Sequence, residues 1–189
     1  MEKNSNMKRV LTKNSKYILL AVMVLFSTVV SDKFFTGTNI SNLLKQNAAV
    51  GILALGELLV ILTGGIDLSV GAIVNLTTII VSLLLKGGMS IPAAAAAALA
   101  AGIAAGFING LLISRFKLIP FIATMATLNI YSGLALLLST GKQIFYENDA
   151  FLKLGNTMIW YIPIVAVIWV ILAIILNHML EHMRHGRNI

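Results

Sequence analysis

The stretch TGGIDLSVG, residues 63–71, interrupts a continuous apolar run with residues unsuited to lipid. Upstream stand Leu58, Leu59, Val60, Ile61 and Leu62; downstream stand Val70, Ala72, Ile73, Val74 and Leu76. Between them two glycines release a helix, and Asp67 places a carboxylate where hydrocarbon would surround it. Backbone freed from helical hydrogen bonds at membrane depth persists only inside protein or against a water-filled cavity. A broken helix of this kind points to a transport pathway.

Outward from that break the chain reads as membrane-spanning throughout. Of 189 residues, 58% are hydrophobic and 11% charged, and the mean hydropathy is +0.92. A soluble domain of that size carries far more charge on its surface. Runs near 46–66 (with Glu57 inside), 68–85, 87–114, 118–141 and 154–177 are long and apolar. At roughly 20 residues each they suit a ~30 Å hydrocarbon core. A shorter run, 17–31, completes six expected segments. The expected fold is all-α: a polytopic membrane helix bundle of about six transmembrane segments, with a broken helix at residues 63–71.

The net charge of +7 sorts by loop and forms no nucleic-acid face. Lys3, Lys8, Arg9, Lys13 and Lys16 precede the first segment. Arg115 and Lys117 lie between the fourth and fifth, and Arg184 and Arg187 follow the sixth. An even number of crossings separates these groups, so the positive-inside rule puts them together in the cytoplasm with both termini. The opposite side receives Lys33, Lys45, Lys86, Lys142 and Lys153, diluted by Asp32, Glu147 and Asp149. The expected organisation is therefore a basic cytoplasmic stretch 1–16, a transmembrane region 17–178 and a cytoplasmic tail 179–189. With no cysteine, neither a disulfide nor a thiolate metal site is possible. The basic, then apolar, N-terminus lacks an A-x-A-like cleavage site after Thr28, so it reads as an uncleaved first helix.

Local signals place the segment ends. Thr38 or Asn39 can cap the second helix. The glycines of KGGMSIP, 86–92, end the third segment, and Pro92 suits the first turn of the fourth. Pro120 precedes the fifth segment, and the sixth starts after Pro163 or slightly earlier at Trp160 and Tyr161. Gly102, Gly106 and Gly110 recur every four residues, a spacing that lets helix backbones approach closely in lipid.

The motif itself has a structural and a functional reading. Structurally, Gly64 or Gly65 supplies the left-handed position after one helix, and Asp67 caps the next with help from Ser69. Functionally, Thr63, Gly64, Gly65, Asp67, Leu68, Ser69 and Gly71 wall a solute path. Glu57 can act as a proton relay or solute contact. Alternatively it is a protonated core residue, or bonds to Asn75, Thr77 or Asn109. Ten residues at 100° each leave Glu57 and Asp67 far apart around an ideal helix, so they are not expected to form a catalytic carboxylate pair. Asn109, Thr124, Thr127 and Asn129 either line a polar cavity or bond to neighbouring helices. His178, His182 and His185 share one helical face, a spacing that can bind a metal. At the cytoplasmic end of the last segment, solvated or headgroup-facing histidines are the simpler reading. No phosphate-binding loop, nucleophile elbow or HExxH motif occurs.

Three blocks carry a family resemblance. They are NLLKQNAAVGILALGELLVILTGGIDLSVGAIV at 42–74, AAGFINGLLISRFKLIPFIATMATLNIYSGLALLLSTGK at 104–142 and HGRNI at 185–189. Together they resemble the membrane-spanning subunit of bacterial ABC importers, of the ribose-type sugar permease family, with TGGIDLSVG as the most specific signature. The resemblance implies a subunit that is not itself an enzyme and binds no cofactor. It would form the path for ribose or a related pentose in the bacterial inner membrane. A second permease copy, separate ABC ATPase subunits that hydrolyse ATP, and an extracytoplasmic sugar-binding protein are the implied partners. Nucleosides, autoinducer-type sugars and branched-chain amino acids are the alternative solutes. HGRNI resembles the start of the loop that contacts the ATPase, after which family members carry further helices. The chain is therefore expected to be a fragment, a truncated product or half of a split permease. The rival readings are a proton-coupled carrier using Glu57 and Asp67, and a non-transporting accessory membrane subunit.

Overall fold

The computed structural model of the chain describes residues 14–146 and 149–182. Helices α1 (Ser15–Val30), α2 (Gly37–Leu62), α3 (Val70–Lys86), α4 (Ile91–Ser114) and α5 (Pro120–Ser139) follow in order. A short helix α6 (Asp149–Asn156) and a hairpin of β1 (Met158–Ile159) and β2 (Ile162–Pro163) then lead into α7 (Ile164–His182). The six expected segments correspond to α1–α5 and α7. Of these, α2, α4, α5 and α7 are long and apolar enough to cross a membrane, while α1 and α3 are shorter. At about 1.5 Å per residue, the 17 residues of α3 rise only about 26 Å, because the motif takes up the missing turn as loop. This is a multi-pass membrane helix bundle.

Local chemistry explains where the helices stop. At the end of α2 the Gly64 N–H bonds to the Ile61 carbonyl (2.9 Å) and the Gly65 N–H to the Val60 carbonyl (3.0 Å). With Gly64 at φ +77°, this is a Schellman cap, and Gly64 is the residue that takes the left-handed position. The same pair of bonds closes α3, from Gly88 to Leu85 and from Met89 to Leu84, with Gly88 at φ +86°. Pro92 and Pro120 each sit in the first turn of their helices, where a missing N–H costs nothing. One expectation is corrected at the start of α2. Its cap is Thr36, whose hydroxyl accepts from the Asn39 N–H at 3.3 Å; Thr38 and Asn39 already lie inside the helix.

At the end of α5 the left-handed position falls on Thr140, at φ +53°. A β-branched residue there is strained by about 1–2 kcal/mol, part of which a more flexible glycine would return to the unfolded state. Thr140→Gly is therefore expected to raise stability by about 0.5–1 kcal/mol, read as a higher unfolding midpoint in detergent.

The helices pack in two groups. Helices α3, α4 and α5 surround a small core of Ala72, Leu76, Ala105, Tyr131 and Ala135. Three alanines there let the backbones close up, and the Tyr131 hydroxyl donates to the Ala105 carbonyl at 3.0 Å. Helix α2 packs instead along α7. The hairpin and α6 brace its first half. Ser41 donates to the Tyr161 carbonyl at 2.6 Å, and Lys45 donates to the Asn156 side chain. Trp160 and Tyr161 form the hairpin turn, so the sixth segment starts at Ile164, after Pro163.

Candidate functional site

The loop 63–69 joins the two packing groups, and its polar residues hold it there. Asp67 was expected to cap α3, but the helix begins at Val70 with Ser69 as its cap residue. Asp67 lies two residues earlier and closes a tight turn. Its Oδ1 accepts both the Ser69 N–H and the Ser69 hydroxyl at 2.7 Å. This self-contained side-chain turn is the favoured local geometry for aspartate before a helix.

Ser69 is fully buried, and α4 reaches it: the Asn109 Nδ2 donates to the Ser69 Oγ at 2.7 Å. A directional relay results, from Asn109 through Ser69 to Asp67. From α5, Thr124, 1% exposed, sends its hydroxyl to the Pro120 carbonyl (2.8 Å), with a longer branch to Ile66 (3.2 Å). Gly65 lies against the same helix start. A Cβ added there would meet Val60 at 3.2 Å and Pro120 at 3.6 Å. The motif is thus docked against α4 and α5 by hydrogen bonds from both.

The fold of this loop brings Glu57 beside Asp67 despite their separation on an ideal helix. The Glu57 Oε1 accepts the Asp67 backbone N–H at 3.3 Å, a contact to the backbone and not a pairing of the two carboxylates. The Schellman cap turns the chain back beside the last turns of α2, which an ideal-helix projection cannot foresee. Asn75, Thr77 and Asn109 are not the partners of Glu57; Thr77 bonds to Ile73 and Asn109 to Ser69.

The remaining candidates disperse. Thr63 bonds back to the Val60 carbonyl, and Leu68 and Gly71 are exposed. Thr127 bonds to the Thr124 carbonyl, and Asn129 to that of Met125. Of the glycine row, a Cβ added at Gly102 would meet the Thr77 methyl at 3.5 Å, whereas Gly106 and Gly110 have open space beside them. The rings of His178 and His182 stack at 4.7 Å, while His185 lies outside the described residues. Among the described residues no group of three or more metal-ligating side chains converges.

One polar atom at the motif is unmatched. The Asn109 Oδ1 is buried and has no hydrogen-bond partner. Asn109→Ala removes one hydrogen bond, worth about 1 kcal/mol, and also an orphaned acceptor whose burial costs about 1–3 kcal/mol. The two effects oppose, so this variant is expected to unfold within about 1 kcal/mol of the parent in detergent. A loss above about 2 kcal/mol would mean that Oδ1 holds an ordered water.

The open polar space lies elsewhere, and the sequence reading missed it. Between α3 and α5, at the C-terminal end of α5, sits a cleft of about 440 Å³. It is lined by Asn75, Thr78 and Ser82 of α3, Ser132 and Ser139 of α5, and Lys142 and Gln143 beyond it. The signal was present as polar residues at i, i+3 and i+7 of α3, one face of a helix.

Comparison with known proteins agrees with the membrane architecture. The chain is 36% identical to the ribose import permease protein RbsC of Bacillus subtilis over 188 residues, 98% of this chain and 58% of that protein. It is 32% identical to the D-allose transport system permease protein AlsC of Escherichia coli over 174 residues, 92% of this chain and 53% of that protein. It is also 32% identical to the autoinducer 2 import system permease protein LsrC of Photorhabdus luminescens over 182 residues, 94% of this chain and 55% of that protein. The chain therefore spans between 53% and 58% of the length of these relatives. No solved structure matches it. Residues 39–189 match the family described as branched-chain amino acid transport system / permease component, and the chain belongs to that permease family.

Proposed function

We propose that the chain is a membrane-spanning permease subunit of an ATP-driven importer, forming part of the path for a monosaccharide such as ribose or a related pentose. The similarity to a ribose import permease across 98% of this chain carries the reading. Its motif supports it: a broken helix docked by hydrogen bonds from two neighbours gives non-helical backbone a protein-lined place at membrane depth. On this reading the chain works beside separate ATPase subunits, an extracytoplasmic sugar-binding protein and a second permease copy, in the bacterial inner membrane with both termini cytoplasmic. Energy comes from ATP in the partner subunits, and the permease contributes the solute path.

Uptake of labelled D-ribose by cells carrying the chain with importer ATPase and binding-protein subunits tests this. Uptake should stop on ATP depletion and persist when a protonophore collapses the proton gradient. The reverse pattern would instead establish a proton-coupled carrier, for which the Glu57–Asp67 contact is the available feature. No uptake beside intact partners would make the chain an accessory subunit.

A further inference from the structure

We infer that the cleft between α3 and α5 is an aqueous subsite for a neutral polyhydroxylated solute, and that it discriminates against amino acids. The inference rests on the importer reading above for its biological role, but its chemistry is independent of the energy source.

The cleft's volume, about 440 Å³, falls in the range of about 300–1,000 Å³ usual for small-molecule sites. Its hydroxyls are committed in a particular direction. Thr78 donates to the Val74 carbonyl (2.7 Å), Ser82 to that of Thr78 (2.8 Å) and Ser139 to that of Leu136 (3.1 Å). Each hydroxyl proton is used by its own helix, so the oxygen lone pairs remain to accept. Two helices thus present acceptors to one space, which suits a ligand rich in O–H donors. Ile79, Leu136 and Ile144 add apolar surface for the C–H face of such a ligand.

Asn75 argues that the space holds water or solute. Its amide is exposed on an apolar helix, with no side-chain hydrogen-bond partner among the described residues. An amide turned to hydrocarbon without a partner costs several kcal/mol, roughly 4–8 on a scale where nothing can hydrogen-bond. It avoids that cost when the cleft is wet.

Charge sets the discrimination. Among the described residues no aspartate, glutamate or histidine lines the cleft, and Lys142 is the ionic group there. An α-ammonium group would find no carboxylate to replace its hydration and would meet a like charge. A neutral sugar requires no ionic partner.

The chain's lack of cysteine makes the test direct. Ser82→Cys and Ser132→Cys change one atom each, and Ile130→Cys, on an exposed apolar position of α5, serves as the lipid-facing control. The full chain in proteoliposomes is treated with a charged, membrane-impermeant thiol reagent, alone and with D-ribose, D-allose or L-leucine. Both cleft cysteines should react while Ile130→Cys does not. A bound sugar should slow the reaction by the factor 1 + [L]/Kd, about tenfold at ten times Kd, and L-leucine should leave it unchanged. Unreactive cleft cysteines in correctly inserted protein, reaction that no sugar slows, or protection by L-leucine would each overturn the inference. Sugar protection in a chain that shows no ATP-driven uptake would uphold the subsite and remove the importer reading. Uptake without protection would do the opposite.

Discussion

Asp67→Ala is expected to remove about 2–5 kcal/mol of stability and to lower the amount of folded protein in the membrane. The estimate follows from two donors. The Ser69 N–H and hydroxyl both end on the Asp67 Oδ1, and Ser69 has no exposed surface on which water could replace the carboxylate. Each buried donor left without an acceptor costs about 1–3 kcal/mol. Asp67→Asn retains an acceptor oxygen and loses only the charge assistance, so it should recover roughly half of the loss. Ser69→Ala is a third comparison. It removes one donor together with its bond, while the Asn109 amide loses its acceptor. The expected order of unfolding midpoints is parent, then Asp67→Asn, then Asp67→Ala. Equal midpoints and equal abundance for the parent and Asp67→Ala would show that the turn does not hold the helix break.

How the motif was read from sequence illustrates what local rules can and cannot reach. Gly64, Gly88, Pro92 and Pro120 act through their own backbone, and the elements they bound fall close to the expected places. Asp67 bonds to backbone as its sequence position suggests, but it closes a turn instead of capping α3, because an aspartate can do either. Thr36, Thr38 and Asn39 are all residue types able to cap α2, and only the backbone geometry selects Thr36. Partners remote in the chain were beyond the periodicity of any one helix. Asn109 lies 40 residues from Ser69, and Thr124 lies 58 from Ile66. Nothing in the order of apolar residues says which polar side chain will face which loop. The α3 polar face is different: Asn75, Thr78 and Ser82 stand at helical spacing and are legible in the sequence as one face.

The two glycines inside α2 were alike in sequence, and the structure separates them sharply. A Cβ on Gly51 would overlap the indole ring of Trp169 on α7; a Cβ on Gly56 would meet nothing within 4 Å. Gly51→Ala is therefore expected to destabilise by about 1–3 kcal/mol, since the large, stiff ring must leave its place or the helices must part. Gly56→Ala meets no such obstacle and should gain up to about 1 kcal/mol from helix propensity. Side-chain size is the same in both variants, so their opposite signs isolate the ring contact. A double-mutant cycle makes the assignment firmer. In a Trp169→Leu background the space beside Gly51 is open, and the cost of Gly51→Ala should largely vanish, a coupling of about 1–3 kcal/mol. An unchanged cost in that background would place its origin elsewhere, in the helix backbone or the lipid. The contact also decides how α7 is held. With α3, α4 and α5 forming their own group, α7 depends on α2 for its main packing. Loosening the Gly51–Trp169 contact should therefore expose α7 to proteolysis before the three-helix group unfolds.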